Sequence, residues 1–239
     1  MLEFPPMKKL RALALLIAAI SLSAQAANEV EITNEAHHHL IFQNDQVRVF
    51  KVEVGPREAT LMHRHRHDYL FVSLGAADVS NEVEGKTPVE LKLQDGQTGF
   101  LAGNFAHVAR NLTQTPFRNV TIELLQDEKA RSAPTVQWDQ ERGLQILNGG
   151  TQEILFAKDG ARVSEFELQP GGMIPRHHHK GPHLVVAITD LDLSSDIEGR
   201  PPSQSQLKSG EVHWVPGGYT HSLTNVSKQP AKYVAVEFP

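Results

Sequence analysis

The sequence predicts an all-β fold, built twice in tandem. Two observations predict the strands, and a third predicts the duplication. Apolar and polar residues alternate over Gln46–Val54 and again over Ala161–Leu168, the period of half-buried strands. No segment of the chain after its first thirty residues carries a convincing long helical period. Sliding the chain against itself by 114 residues aligns His63 with His177, His65 with His179, His107 with His221 and Asn111 with Asn225. The same offset pairs Gly96 with Gly210, Pro116 with Pro230 and Glu84-Gly85 with Glu198-Gly199, with no gap from His63 to the end of the second copy. A constant offset over so long a span reads as a duplicated domain.

The chain opens with an export address. Met7-Lys8-Lys9-Leu10-Arg11 is a positive n-region, Ala12–Leu22 an apolar run, and Ala24-Gln25-Ala26 a cleavable A-x-A site, so residues 1–26 are expected to be a signal peptide. The run is well short of the roughly 20 residues that span a bilayer. The mature protein is therefore expected to be periplasmic or secreted and free of the membrane. The sequence contains no cysteine, so the fold has no disulfides.

Next come the strands of the first copy. His37-His38-His39 opens it, and because adjacent side chains on a strand point to opposite faces, the three are read as a solvated polar segment. The alternating strand ending at Val54 follows, then His63 and His65, which share a face at i and i+2. Tyr69-Leu-Phe-Val-Ser-Leu is a continuous apolar run suited to a strand inside a sandwich, and Asn119-Val-Thr-Ile-Glu-Leu-Leu closes the copy. Gln126-Asp-Glu-Lys-Ala-Arg-Ser-Ala-Pro-Thr is polar and charged, as a surface linker would be. The domains are accordingly placed at 27–132 and 133–239.

The second copy carries the sharpest motifs. Gly171-Gly-Met-Ile-Pro-Arg-His177-His-His179-Lys-Gly-Pro-His183 reads G-x5-H-x-H-x3-H, and Gly210-Glu-Val-His-Trp-Val-Pro216-Gly-Gly218-Tyr-Thr-His221-Ser-Leu-Thr-Asn225 reads G-x5-P-x-G-x2-H-x3-N. His177 and His179 converge by strand parity, and His183 keeps that parity. His221 is expected from a neighbouring strand, after a turn that Pro216 and Gly218 suit. Four imidazoles converging from two strands make a site for a divalent transition metal, with Zn, Fe, Mn and Ni all open. The bland alternative is a His-rich polar loop. Two spaced glycines, a proline and an asparagine argue against it.

These blocks resemble the two sequence motifs of the cupin superfamily. The second block matches at Gly210, Pro216, Gly218, His221 and Asn225; the first matches at Gly171, His177 and His179 and departs at His183, where cupins usually place Glu. The resemblance implies two small antiparallel jelly-roll barrels, a bicupin, each with its metal inside.

The copies differ at the site. Tyr69 falls opposite His183, leaving the first copy His63, His65 and His107 plus a phenol, a poor ligand at neutral pH. Ala102 and Asn104 stand where the second copy has Pro216 and Gly218. The set His177, His179, His183 and His221 is therefore expected to be the stronger site, and His63, His65 and His107 the weaker. His213, opposite Gly99, and Tyr69 are candidates for groups beside the metal, with His213 equally readable as an ordinary surface residue. His178 should face outward, and Trp214 reads as core. Glu123 and Glu237, recurring at the ends of the last strands, read as surface residues, while Asn111 and Asn225 are expected to tie a loop to backbone groups.

A formal net charge of -5 and the lack of a Lys/Arg cluster in the folded part argue against nucleic acid as the main partner. No Ser-His-Asp pattern, phosphate loop or CxxC motif is present. Three functions are consistent with this reading. The first is a metal-dependent enzyme with dioxygenase-like, decarboxylase or isomerase chemistry on a small oxygenated compound. The second is a non-catalytic protein holding a small molecule through the metal, and the third is a structural metal. A homo-oligomer is left open.

Overall fold

The computed structural model describes residues 29–126, 144–158 and 160–239. The expected signal peptide and the boundary near residue 132 lie outside the described residues. Those residues are almost entirely β, with one short 3-10 turn at Ile32–Asn34. Among them, no helix is long and apolar enough to cross a membrane.

The first half contains ten strands. These are β1 (Val30–Glu31), β2 (His38–Gln43), β3 (Val47–Val54), β4 (His63–His65) and β5 (Tyr69–Ser73), then β6 (Ala77–Val83), β7 (Val89–Leu93), β8 (Thr98–Leu101), β9 (Phe105–Asn111) and β10 (Phe117–Leu124). They form two five-stranded sheets, β1-β4-β9-β6-β7 and β2-β3-β10-β5-β8. All pairings in the two sheets are antiparallel except β1 with β4.

The second half contains β11 (Leu144–Lys158), β12 (Ala161–His179), β13 (His183–Ala187) and β14 (Leu191–Ile197), then β15 (Ser203–Leu207), β16 (Val212–Val215), β17 (Tyr219–Asn225) and β18 (Ala231–Glu237). Its sheet runs β15-β14-β17-β12-β18-β13-β16, with β11 added on β12. The 19-residue strand β12 plays two parts. Its start pairs with β18 and its end with β17, so it passes from one side of the barrel to the other. Gly171 (φ +74°) sits between the two parts, in the left-handed region that glycine tolerates. In the first half β3 and β4 share the same two roles, pairing with β10 and β9.

The strands bury apolar side chains on both faces. On β10, Val120, Ile122 and Leu124 join Val47, Val49, Leu70 and Val72 in one cluster with Val163, Leu184, Val186, Val234 and Val236 of the second half. The two halves thus share a core across facing sheets. Gly96 and Gly210 lie at this contact. A Cβ would meet Ile188 Cδ1 at 3.0 Å in one case and Leu74 Cδ1 at 2.9 Å in the other. By the period of two, the alternate residues Asn119, Thr121 and Glu123 of β10 point into the first barrel. Tyr233, Ala235 and Glu237 of β18 point into the second in the same way.

Candidate metal centres

His63, His65 and His107 lie on paired strands, with His63 and His107 directly opposite. His177 and His221 are opposite in the same way on β12 and β17. In each half the ring nitrogens turn inward. Nε2 of His65 and His107 are 3.2 Å apart. The corresponding separations in the second half are 2.9 Å for His177–His179, 3.1 Å for His179–His221 and 3.2 Å for His221–His177.

The far side of each ring is held from outside. His63 Nδ1 lies 2.9 Å from the Leu61 carbonyl, and His177 Nδ1 lies 2.8 Å from that of Pro175. His107 Nδ1 is 2.6 Å from Asn81 Oδ1, and His221 Nδ1 is 2.7 Å from Ser195 Oγ. His65 and His179 turn Nδ1 toward Glu123 and Glu237, at 3.8 and 3.5 Å. Arg48 and Arg162 in turn flank those carboxylates. All these partners recur at the 114-residue offset. An acceptor on Nδ1 leaves the Nε2 lone pair free for a cation, the usual outer support of a metal-bound histidine.

Burial disfavours the charged form of His63, His107, His183 and His221. It pulls His63 down to about 4 and His107, His183 and His221 to about 3, with the neighbouring imidazoles adding to the shift. Burial pushes the Glu123 carboxyl up to about 7. Glu237 stays below its usual range: burial would raise it, but His179 and Arg162 outweigh that. His63 Nε2 is buried without a hydrogen-bond partner, an arrangement that suits a metal ligand. The residues fit a divalent ion at both clusters, with all-nitrogen donors.

The placement departs from the sequence reading in three respects. The structure brings His177, His179 and His221 into one nitrogen group but sets His183 against the face of His179, centroids 4.1 Å apart and planes 24° apart. Nearly parallel rings at that spacing cannot aim their in-plane lone pairs at one point. His183 begins a new strand, β13, because Gly181 and Pro182 end β12; a Cβ on Gly181 would sit 2.1 Å from the Phe238 carbonyl oxygen. Tyr69 occupies the matching position, stacked on His65 at 4.0 Å.

The second departure is His38. It is buried, its ring centroid lies 4.6 Å from that of His63, and it shares a nitrogen group with His63 and His65. Its burial corrects the reading of a solvated segment. His37 and His39 do alternate away from it. The third correction concerns Glu123 and Glu237, which are not surface groups. Glu123 is 1% exposed, and both point into the barrels because the apolar face of their strands is taken up by the other half.

The remaining candidates are placed as follows. His213 is exposed and lines the mouth of the second cavity, and His178 faces outward, 3.1 Å from Thr220 Oγ1. Trp214 packs against the shared core. Asn111 and Asn225 each donate to three backbone carbonyls across a loop.

The cavities differ in size. The one at His177, His179 and His221 measures about 260 Å³ and is walled by Phe166, Ile174, Val185, Leu193, Leu207 and Tyr233. The one at the first cluster measures about 80 Å³. Tyr219 faces the larger cavity where the first half has Phe105, and burial pushes its phenol up to about 12, so it stays a neutral donor.

No protein-family model and no curated protein sequence matches the chain. Solved structures do. AerE from Microcystis aeruginosa aligns at 12% identity with a TM-score of 0.58, covering 84% of this chain and 97% of that one. Oxalate decarboxylase from Bacillus subtilis aligns at 12% identity and a TM-score of 0.57, covering 81% and 68%. A second structure of that enzyme, studied for its Mn(II) centres, gives 12% and 0.58, covering 87% and 76%. These neighbours are cupin-fold proteins. At such identities the likeness bears on architecture alone, and that architecture is the cupin jelly-roll.

Proposed function

We propose that this chain is an exported bicupin whose halves arose by duplication, and that its second half is a metal-dependent enzyme acting on a small oxygenated organic compound. The carrying observation is the convergence of three Nε2 atoms, from His177, His179 and His221, on an apolar cavity of about 260 Å³. Export is supported by the Lys-Arg, apolar and A-x-A succession before Ala27. Duplication is supported by the shared offset of the ligand histidines and of the carboxylates and arginines behind them.

A divalent ion bound there supplies Lewis acidity toward a carbonyl or enolate and acidifies a bound water. The chain's own residues do the rest. Ser195, the Pro175 carbonyl and Glu237 fix the three rings with Nε2 inward. Neutral imidazoles leave the ion its full charge. Phe166, Ile174, Val185, Leu193 and Leu207 exclude water and accept an apolar body, while the Tyr219 hydroxyl can donate a hydrogen bond to a substrate oxygen. Such a lining suits a substrate with an apolar part and one oxygen function facing the histidines. Among the candidate ions Zn, Fe, Mn and Ni, manganese gains weight from the Mn(II) centres of the oxalate decarboxylase neighbour.

The test is to load the protein with each ion and follow decarboxylation, isomerisation and O2 uptake on a panel of small keto, hydroxy and enol acids. His179→Ala serves as the inactive control. Turnover lost in that variant supports the reading. Tight binding of such compounds without turnover for any ion makes the protein a binding module.

A further inference from the structure

The geometry points to the first histidine cluster being a closed four-nitrogen metal centre, completed by His38 from the facing sheet and organised by Glu35. One half then fixes a metal structurally while the other presents one to substrate. This rests on the reading that the clusters bind metal.

His38 belongs to neither repeated motif. It comes from β2, in the sheet opposite the strands that carry His63, His65 and His107. Its Nδ1 lies 2.6 Å from Glu35 Oε2, which leaves Nε2 as the nitrogen free to ligate. His38, His63 and His65 offer ring nitrogens all within 4.8 Å of one another, and His107 joins through His65 at 3.2 Å. A singly protonated imidazole with Nδ1 engaged by a carboxylate is the form that ligates a metal. His63 Nε2 supplies the independent observation: it is wholly buried and has no hydrogen-bond partner. A lone pair in that position is satisfied by a cation or by a donor, and the rings around it offer mostly further lone pairs.

Glu35 is 2% exposed and accepts four hydrogen bonds, from the His37 and Leu61 backbone amides and from the rings of His37 and His38. It therefore does two things at once. It orients His38, and it accepts from the N–H of Leu61, the residue whose carbonyl faces His63. Burying a carboxylate requires such compensation, and two of its four partners, the His38 ring and the Leu61 amide, lead to the cluster. At the 114-residue offset the second half has Gly149 and Gln152 in place of Glu35 and His38, so the closure is confined to the first half. The cavity beside it is correspondingly small, about 80 Å³ against about 260 Å³. Four nitrogen donors beside so small a cavity describe a structural site for a Zn-type ion.

Cobalt(II) titration of the purified, metal-free protein tests this, because the visible spectrum of cobalt separates four-coordinate from more open centres. The expected result is one cobalt at each cluster. The first gives an intense four-coordinate spectrum unmoved by azide, and the second gives bands that azide shifts. His38→Gln should abolish the intense spectrum and leave the second. Glu35→Gln should weaken the first site by about 10- to 100-fold, the usual effect of losing an outer-shell partner. If His38→Gln does not fold, the wild-type spectrum still decides, since a protein whose every cobalt centre responds to azide has no closed site. Cobalt at the second cluster alone, or a first-site affinity unchanged in both variants, overturns this inference and leaves the proposed function standing. Failure of both clusters to take cobalt overturns both.

Discussion

Lowering the pH from about 6.5 to about 5 should remove about 6 kcal/mol of stability from the metal-free protein. Five buried histidines drive the effect, with His63 held at about 4, His107, His183 and His221 at about 3 and His65 lower still, all mainly by burial. Their pKa values are lower folded than unfolded, so below the unfolded value near 6.5 the unfolded chain binds more protons and stability falls with pH. Over this window each missing proton costs about 1.6 kcal/mol, about 8 for the five. Glu123, raised to about 7 by burial, acts in the opposite sense. It takes up a proton in the folded state over this window and returns about 2 kcal/mol. The net is comparable to the whole stability of an ordinary domain. Urea unfolding followed by circular dichroism at pH 7, 6 and 5, after chelation, measures it. His107→Gln should reduce the slope by about one proton, or about 1.4 kcal/mol per pH unit. A metal-free protein equally stable at pH 7 and 5 would refute the neutral, inward-facing histidine clusters.

Further outcomes follow from single contacts. Ser195→Ala removes the 2.7 Å partner of His221 Nδ1 and should weaken metal at the second cluster by about 10- to 100-fold, with the first unchanged, in a competitive chelator titration. Asn225→Ala leaves the Leu168, Gln169 and Gln229 carbonyls without their donor and should lower the unfolding free energy by about 1–3 kcal/mol. Ile122→Ala opens a cavity in the core shared by the halves and should cost about 2–5 kcal/mol. Because that core is shared, unfolding should remain a single transition; two separate ones would contradict it.

Much of the architecture was legible because strand periodicity and the recurrence at 114 residues are local properties of the text. The alternation at Val47–Val54 and the apolar run at Tyr69 mark strands whatever they pack against. The convergence of His63 with His107, and of His177 with His221, followed from the same parity plus a turn. What failed was the inference of which face looks inward. Glu123 and Glu237 read as surface residues, yet the apolar side of β10 and β18 that alternates with them is the contact between halves, which turns both carboxylates inward. His38 was lost for a related reason: three adjacent histidines look solvated until a sheet is drawn across from β4, and no pattern in the chain announces that pairing. Parity does put His183 on the lining of the cavity, but the break at Gly181-Pro182 starts a new strand there and sets its ring against the face of His179 rather than among the three converging nitrogens.

The account stands most directly on anomalous diffraction from crystals of the protein soaked in turn with Zn, Mn, Fe and Ni salts, collected at each absorption edge. A metal peak bonded to Nε2 of His177, His179 and His221, with its other positions open to the cavity, is the result predicted. Maps with no peak at those three nitrogens, after exposure to every ion, would contradict it.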